Sequence, residues 1–509
     1  MHLHTIARLA VLVGGIGVGL VAGCSSAGDT NEGKSDHDAD GNGGNEFAPP
    51  VGDRAFATRL VIPPVLTPSA DRTGAGDAYQ LTIKSGTAQM KASATTPIVG
   101  FNGLSPGPTI VATRGRTSTV TQTNAWNENV TVHNHGHKVA ADSDGHPIDY
   151  VVPGASKVYT YPNDQPGGTF WYHDHTMDVT GRHVYNGLAG FYIIHDPAED
   201  SLNLPSGAYD VPLLLQDKRF AADGSLTFDE RATGPGFYGD TAVVNGVVLP
   251  FYEVATRKYR FRLLNGANAR EWELRLDVAG SSTPLPFQVI ASDGGLLAAP
   301  VTKTSLAMAP GERYDIVVDF AGIPLNTRIT MANGAPARGV AGDDNDDNGN
   351  RGAIPSLMQF VVAREESDTS AVPAKLATIT RLREADAKAS AKISFTFNNG
   401  DWRLNGLGYD PARIDVRSKL DNVTIWTLTN NSGQMHPFHK HLVEFNVLDI
   451  NGRPPPPEMQ GLKDTVAVPG KGTARIIFKN EGFTGTYVFH CHKLEHEDHR
   501  MMLQEGVTQ

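Results

Sequence analysis

The chain is poor in cysteine: Cys24 and Cys491 are the only two in 509 residues. That excludes a scaffold stapled by several disulfides. Basic charge is also short. Lys and Arg number 44 against 55 Asp and Glu, and the formal net charge of −11 argues against nucleic acid as a partner. The apolar run Leu9 to Ala22 falls short of the roughly 20 residues that a helix needs to cross a bilayer. What the chain has in quantity is turn residues, 54 Gly and 32 Pro. With its β-branched, alternating stretches, this composition predicts an all-β protein. At roughly 150 residues per domain, the length suggests about three domains.

Arg8 precedes the apolar run, which ends in Val21-Ala22-Gly23-Cys24. The pattern resembles a bacterial lipoprotein signal over 1–23. It implies cleavage before Cys24, a lipid on that residue, and export to the periplasmic or outer-surface side of the envelope. The competing reading is an ordinary signal peptide with a chance Cys. Residues 24–52, rich in Gly, Ser, Asp and Asn, read as a flexible tether. With Cys24 lipidated, Cys491 is the one remaining thiol and no intrachain disulfide can form. A monomer is expected.

The chain repeats itself weakly three times. Asn102-Gly103, Asn245-Gly246 and Asn405-Gly406 each open a similar stretch, followed within a few residues by Pro108, Pro250 or Pro411. β-rich runs then end at Asn124, Asn265 and Asn430, and Pro-Gly turns follow at Pro153, Pro310 and Pro469, 157 and 159 residues apart. A period that long marks repeated domains rather than a solenoid. Three β-sandwich or barrel domains with Greek-key wiring are expected at 53–200, 201–364 and 388–509, with a linker containing a short helix at 365–387. In the second, Asp344, Asp346, Asn348 and Gly349 match the start of a calcium loop. Pro355 stands where that loop needs a bidentate Glu, so a solvated loop is the favoured reading.

Four His-x-His pairs stand out among the 18 histidines: His133/His135, His173/His175, His439/His441 and His490/His492. Residues i and i+2 of a strand point to one face, so each pair can offer two imidazoles to one metal site. One pair alone is weak evidence. Four pairs, two in the first repeat and two in the third at matching positions, predict a metal cluster between those domains, with the middle one as spacer. The last pair encloses Cys491, whose sulfur alternation sends to the other face. A thiolate with His436, His496 and Met501 is the ligand set of a blue-copper electron-transfer site. Zinc suits such a set less well.

The segments VHNHG, WYHDH, HPFHKH and HCHKLEHEDHRMM resemble the four copper signatures of multicopper oxidases. The resemblance spans roughly residues 55–505. It lies nearest bacterial spore-coat laccases, bilirubin oxidases and phenoxazinone synthases, which GFNGLSPGPTI, DSDGHP, NGLAGFYIIHDP and LKDTV also resemble. It implies three cupredoxin-like Greek-key β-barrel domains and four coppers per chain. By position, His436, Cys491, His496 and Met501 would hold the type 1 copper, and His133 and His439 the type 2 copper. His135, His173, His175, His441, His490 and His492 would hold the type 3 pair. Asp144 and Glu497 match carboxylates that relay protons in this branch. His137, His146 and His183 are outside the pattern and are expected in core or surface roles.

Two positions depart from the branch. Phe489 stands where Trp is common, and His499-Arg500 replace an aromatic-acidic pair near the site of electron uptake. The implied activity is one-electron oxidation of phenols or aminophenols coupled to reduction of O2 to water. Uptake is expected at the edge of His496. A weak axial Met501 implies a low-to-medium potential. The alternatives are a cuprous-ion oxidase, which commonly carries a Met-rich insert, and a copper-free scaffold, which loses ligands. Here the ten Met are scattered and every ligand position is kept.

Overall fold

The computed structural model describes residues 55–69, 76–229, 234, 236–334, 354–398 and 400–509. The expected signal over 1–23, the expected tether over 24–52 and the Asp-rich segment 341–350 lie outside the described residues. Among the described residues no helix is long and apolar enough to cross a membrane.

Six sheets form three pairs, and each sheet draws its strands from one third of the chain. The first pair holds strands between Gly76 and His195, the second between Asp210 and Arg364, the third between Ala389 and Thr508. The wiring recurs. In each third the first long strand pairs parallel with a later one: Gly76–Lys91 with Thr117–Asn124, Asp210–Lys218 with Lys258–Asn265, and Ala389–Asn398 with Val423–Asn430. Such parallel pairing of non-consecutive strands follows from Greek-key connection. Each third encloses its own apolar core. The cores follow from alternation: Thr117–Asn124 and Val423–Asn430 show the same inside-outside order along all eight residues.

The repeated Asn-Gly pairs are turns whose two residues both adopt left-handed backbone. Their φ values are 56° and 73° at Asn102-Gly103, 49° and 76° at Asn245-Gly246, and 53° and 71° at Asn405-Gly406. Few other residue pairs tolerate that geometry. The strand-ending Asn residues are likewise equivalent. Asn124, Asn265 and Asn430 each donate two side-chain hydrogen bonds to carbonyls and accept one from a backbone N–H two residues on. The Pro-Gly motif is not equivalent throughout. Gly154 and Gly311 take the left-handed position, but in the third repeat Lys471 does so (φ 55°), one residue later than the motif suggests. In the linker 365–387 the helical part is a single 3-10 turn, Glu384–Asp386.

Candidate metal centre

Two strand pairs, one from each outer third, carry the histidines. Val132–His135 lies antiparallel to Gly168–Asp174 with His133 opposite His173. His436–Lys440 lies antiparallel to Gly485–Cys491 with His439 opposite His490. All eight His of the four pairs are buried, and their ring nitrogens converge in groups whose atoms lie within 4.8 Å of one another. His135, His173 and His492 form one group, and His175, His441 and His490 a second. His133 and His439 form a third, which His441 also joins. Every group mixes residues of the first and third repeats.

Most of these rings are fixed at one nitrogen and open at the other. His133 Nδ1 donates to the Asp144 carbonyl at 2.6 Å, His439 Nδ1 to the Asp464 carbonyl at 2.9 Å, and His173 Nδ1 to the Asp174 carbonyl at 2.8 Å. Their Nε2 atoms are buried without a partner. His135 is turned the other way: Nε2 meets Asp464 Oδ1 at 2.9 Å and Nδ1 is left unpartnered. His490 Nε2 lies 3.2 Å from His175 Nε2 and 3.3 Å from His441 Nε2. Lone pairs crowded together in this way suit a shared cation. Burial also pushes the His133, His135, His439, His441 and His492 imidazoles well below their ordinary titration range, His175 to about 4 and His173 to about 3. Neutral imidazole is the ligand form, so the donor set fits metal ions.

The two expected relay acids reach this cluster from different sides. Asp144 Oδ2 accepts from His441 Nδ1 at 2.7 Å, and burial raises its carboxyl to about 8. Glu497 lies between His175 Nδ1 at 3.2 Å and His490 Nδ1 at 3.1 Å. Its burial favours the neutral acid, but those facing imidazoles outweigh it and hold the carboxyl below its usual range.

Cys491 forms a second, smaller site. His436 Nδ1 lies 3.4 Å and His496 Nδ1 3.6 Å from Cys491 Sγ, and the two nitrogens are 3.3 Å apart. Met501 is buried in the same apolar cluster, tied by its N–H to the His496 carbonyl and by its carbonyl to the Cys491 N–H. Ser432 Oγ fixes His436 Nε2 at 3.0 Å. Burial pushes the Cys491 thiol up to about 12, so ionisation there needs a cation beside it. Cys491 is also a direct neighbour of both His490 and His492, and its carbonyl accepts from His490 Nδ1 at 3.0 Å.

Two features differ from the sequence-based expectation. The edge of His496 is not open: the residue is fully buried, Nε2 meets the Gly234 carbonyl at 3.2 Å, and Trp402 stacks on the ring at 4.8 Å. The middle repeat is more than a spacer. Its Arg313 donates to both carboxylate oxygens of Asp464, and its Asp293 accepts from the Asp464 and Thr465 N–H groups. Its Gly311 takes the left-handed φ of 84°, and a Cβ there would lie 2.9 Å from the His492 ring. Asp464 and Arg313 were not singled out from the sequence. The one signal was LKDTV, which contains Asp464; Arg313 carries none. His137 and His183 are buried away from the groups, His137 among Tyr161, Phe170 and Tyr192 and His183 against Asp174. His146 meets Gln504.

Comparison with known proteins agrees with this architecture. Multicopper oxidase family models match residues 82–199 and 372–508. The chain is 37% identical over 471 residues to the bilirubin oxidase of Albifimbria verrucaria, covering 89% of this chain and 81% of that protein. It is 34% identical to the laccase of Bacillus subtilis (strain 168), covering 89% and 98%. Among solved structures, a multi-copper oxidase from Pediococcus acidilactici superposes with a TM-score of 0.80 at 32% identity, covering 92% of this chain and 95% of that one. McoA from the hyperthermophile Aquifex aeolicus also gives 0.80, at 30% identity, covering 90% and 100%. By fold, by site and by sequence, the chain belongs to the multicopper oxidase family.

Proposed function

We propose that this chain is a laccase-like oxidase that withdraws single electrons from phenolic or aminophenolic donors and reduces O2 to water. The observation that carries the reading is the donor set: imidazoles pinned at one nitrogen, aimed inward with the other, joined through Cys491 to a sulfur-and-imidazole triangle. His436, Cys491, His496 and Met501 would hold the type 1 copper, and His133 and His439 the type 2 copper. His135, His173, His492, His175, His441 and His490 would hold the type 3 pair. When bound, the coppers supply one-electron acceptance at the first site and four-electron reduction of O2 at the cluster.

The chain's own part is positioning, conduction and protons. Cys491 offers a short covalent path to His490 and His492, with the hydrogen bond from His490 Nδ1 to the Cys491 carbonyl as a second route. Asp144 and Glu497 relay the four protons that O2 reduction requires: Asp144, its carboxyl raised by burial, can donate as an acid, and Glu497, ionised at rest, accepts a proton and passes it on. Because His496 is covered, a donor passes its electron across Trp402 or the Gly234 carbonyl rather than touching the ring. Broad tolerance of donor shape follows.

Copper-loaded protein should carry four coppers per chain. Its blue colour should bleach under an electron-rich methoxyphenol without air and return in air. A colourless protein that retains no copper would remove the reading. We further propose that Cys24 carries lipid. Several acyl chains are needed for a stable anchor, so Cys24→Ala should move the protein from membranes to the soluble fraction. Unchanged membrane fractionation would refute the anchor and leave the oxidase reading untouched.

A further inference from the structure

We propose that Glu444 is a third proton-relay carboxylate, feeding the histidine cluster from the side of Asp464. The proposal rests on the oxidase reading above, and no signature motif includes this residue.

The backbone places it. After His441 the chain bulges out of its strand, with Leu442 in left-handed conformation (φ 76°), and pairs again at Phe445. Phe445 N–H donates to the Lys463 carbonyl at 2.6 Å, and Lys463 N–H to the Phe445 carbonyl at 2.9 Å. One step back along one strand and one step forward along the other, Glu444 stands beside Asp464.

The two carboxyls then part company. Asp464 is paired with Arg313 through both carboxylate oxygens, with His135 and the Thr465 hydroxyl also donating to it. Glu444 has no such counter-ion: its Oε1 is buried without a hydrogen-bond partner. The charged groups that face it are Asp464, Lys138 and Arg313. Lys138 is shared between Asp164 at 3.4 Å and Glu481 at 3.5 Å, and Arg313 is committed to Asp464. Burial dominates and raises the Glu444 carboxyl to about 7. Near neutral pH it can therefore both hold and release a proton.

It also stands close to solvent. A cavity of about 420 Å³ is lined by Gly294 and Leu462, with Arg114, Asp196 and Glu199 among its walls. Those charged walls suit water. A Cβ on Gly294 would lie 2.6 Å from Leu462 Cβ and 3.1 Å from Glu444 Cγ, so Glu444 sits directly behind the cavity floor. On the inner side, the Thr465 hydroxyl lies 3.2 Å from His135 Nε2 and 3.3 Å from His439 Nδ1. Glu444 thus separates cavity water from the Asp464–Thr465 edge of the cluster. Reduction of one O2 to two waters takes four electrons from the donor and four protons from solvent. Glu444 releases a proton inward along that edge and is reprotonated from the cavity, so it is unchanged over a turnover.

The test is Glu444→Gln, which keeps shape and removes the exchangeable acid, with Glu444→Asp as the rescuing variant. In copper-loaded enzyme, anaerobic bleaching of the blue site should match the parent. Reoxidation by O2 should slow on the order of tenfold, below the usual 10²–10⁴ for a general acid because Asp144 and Glu497 remain. The parent rate should fall as pH rises through the Glu444 ionisation at about 7; the Gln variant should lose that step and keep only the later fall set by Asp144, and Asp should restore it. In copper-free protein, the infrared difference between parent and Glu444→Gln should show one protonated carboxyl stretch that titrates near neutral pH. Unchanged reoxidation, or absence of that stretch, overturns the proposal. A parent that does not consume O2 would instead overturn the oxidase reading, while the stretch would still report on the carboxyl.

Discussion

The two sites joined at Cys491 are built in opposite ways. Every candidate ligand of the smaller site comes from the third repeat, between His436 and Met501, and Cys491 and Met501 lie within one apolar core. Its polar supports are few: Ser432 on one ring and the Gly234 carbonyl on the other. The histidine cluster is assembled from both outer repeats and stiffened by charge. Asp144 from the first repeat orients His441 of the third, Asp464 from the third orients His135 of the first, and Arg313 of the middle repeat holds Asp464. The contrast matches the chemistry. A group that only passes electrons gains from a dry, rigid surround that moves little between oxidation states. A group that turns O2 into water needs protons, hence polar residues at its walls, and an opening that a seam between domains provides. The cluster should accordingly depend on domain docking, whereas the Cys491 site should not.

Cys491→Ser breaks the smaller site and should have the largest effect. A hydroxyl cannot supply the soft, deprotonated sulfur that blue copper needs. The blue absorption and donor oxidation should vanish while about three coppers stay in the cluster; retention of blue copper would refute the ligand assignment. Arg313→Met attacks the other side of the contrast. It leaves Asp464 and Asp293 buried beside each other without their guanidinium, a change that typically costs about 3–5 kcal/mol. Thermal unfolding should drop accordingly, and copper should be lost from the cluster before the blue site fades. Parallel loss from both sites would show that the cluster is no more dependent on docking than its neighbour.

The fold was legible because its signals are local. Asn-Gly turns, alternating strands and strand-ending Asn residues repeat with a period close to 160 residues, and each has a conformational cause that acts within a few residues. The histidine groups were legible for the same reason: His-x-His spacing is a property of one strand. What sequence could not show lies across the seams. Arg313 and Asp293 follow no motif, and they matter only because docking brings the middle repeat against Asp464. The cover on His496 is of this kind too, since Gly234 and Trp402 come from residues far away in the chain. The one-residue offset of the third Pro-Gly turn arises because Lys471 takes the left-handed position there.

A smaller effect is expected where the two sites meet. Glu497 follows His496 but turns to the cluster, touching His175 and His490. Glu497→Gln keeps the shape and removes the carboxylate that takes up and passes on a proton. Reoxidation by O2 should slow about 10²-fold or more, the range of a lost general acid, while anaerobic reduction of the blue site is unchanged. Equal slowing of both steps would mean that Glu497 serves the Cys491 site after all, and the division of labour between the sites would blur.

The mildest test concerns the rigidity of the smaller site. Met501 is held by two backbone hydrogen bonds, one to His496 and one from Cys491, so its position follows from those of two other candidate ligands. Met501→Leu nearly conserves volume, and such a swap in a packed core costs about 1.5 kcal/mol or less. The backbone ties do not involve the side chain, so the triangle of Cys491, His436 and His496 should persist. What changes is electron donation. A thioether stabilises the oxidised copper, and Leu does not. The reduction potential should therefore rise, with weaker copper retention, and electron-rich methoxyphenols should lose their advantage over poorer donors. Redox titration of the blue band checks this directly: an unchanged or lower potential in Met501→Leu would show that Met501 packs beside the site without ligating it.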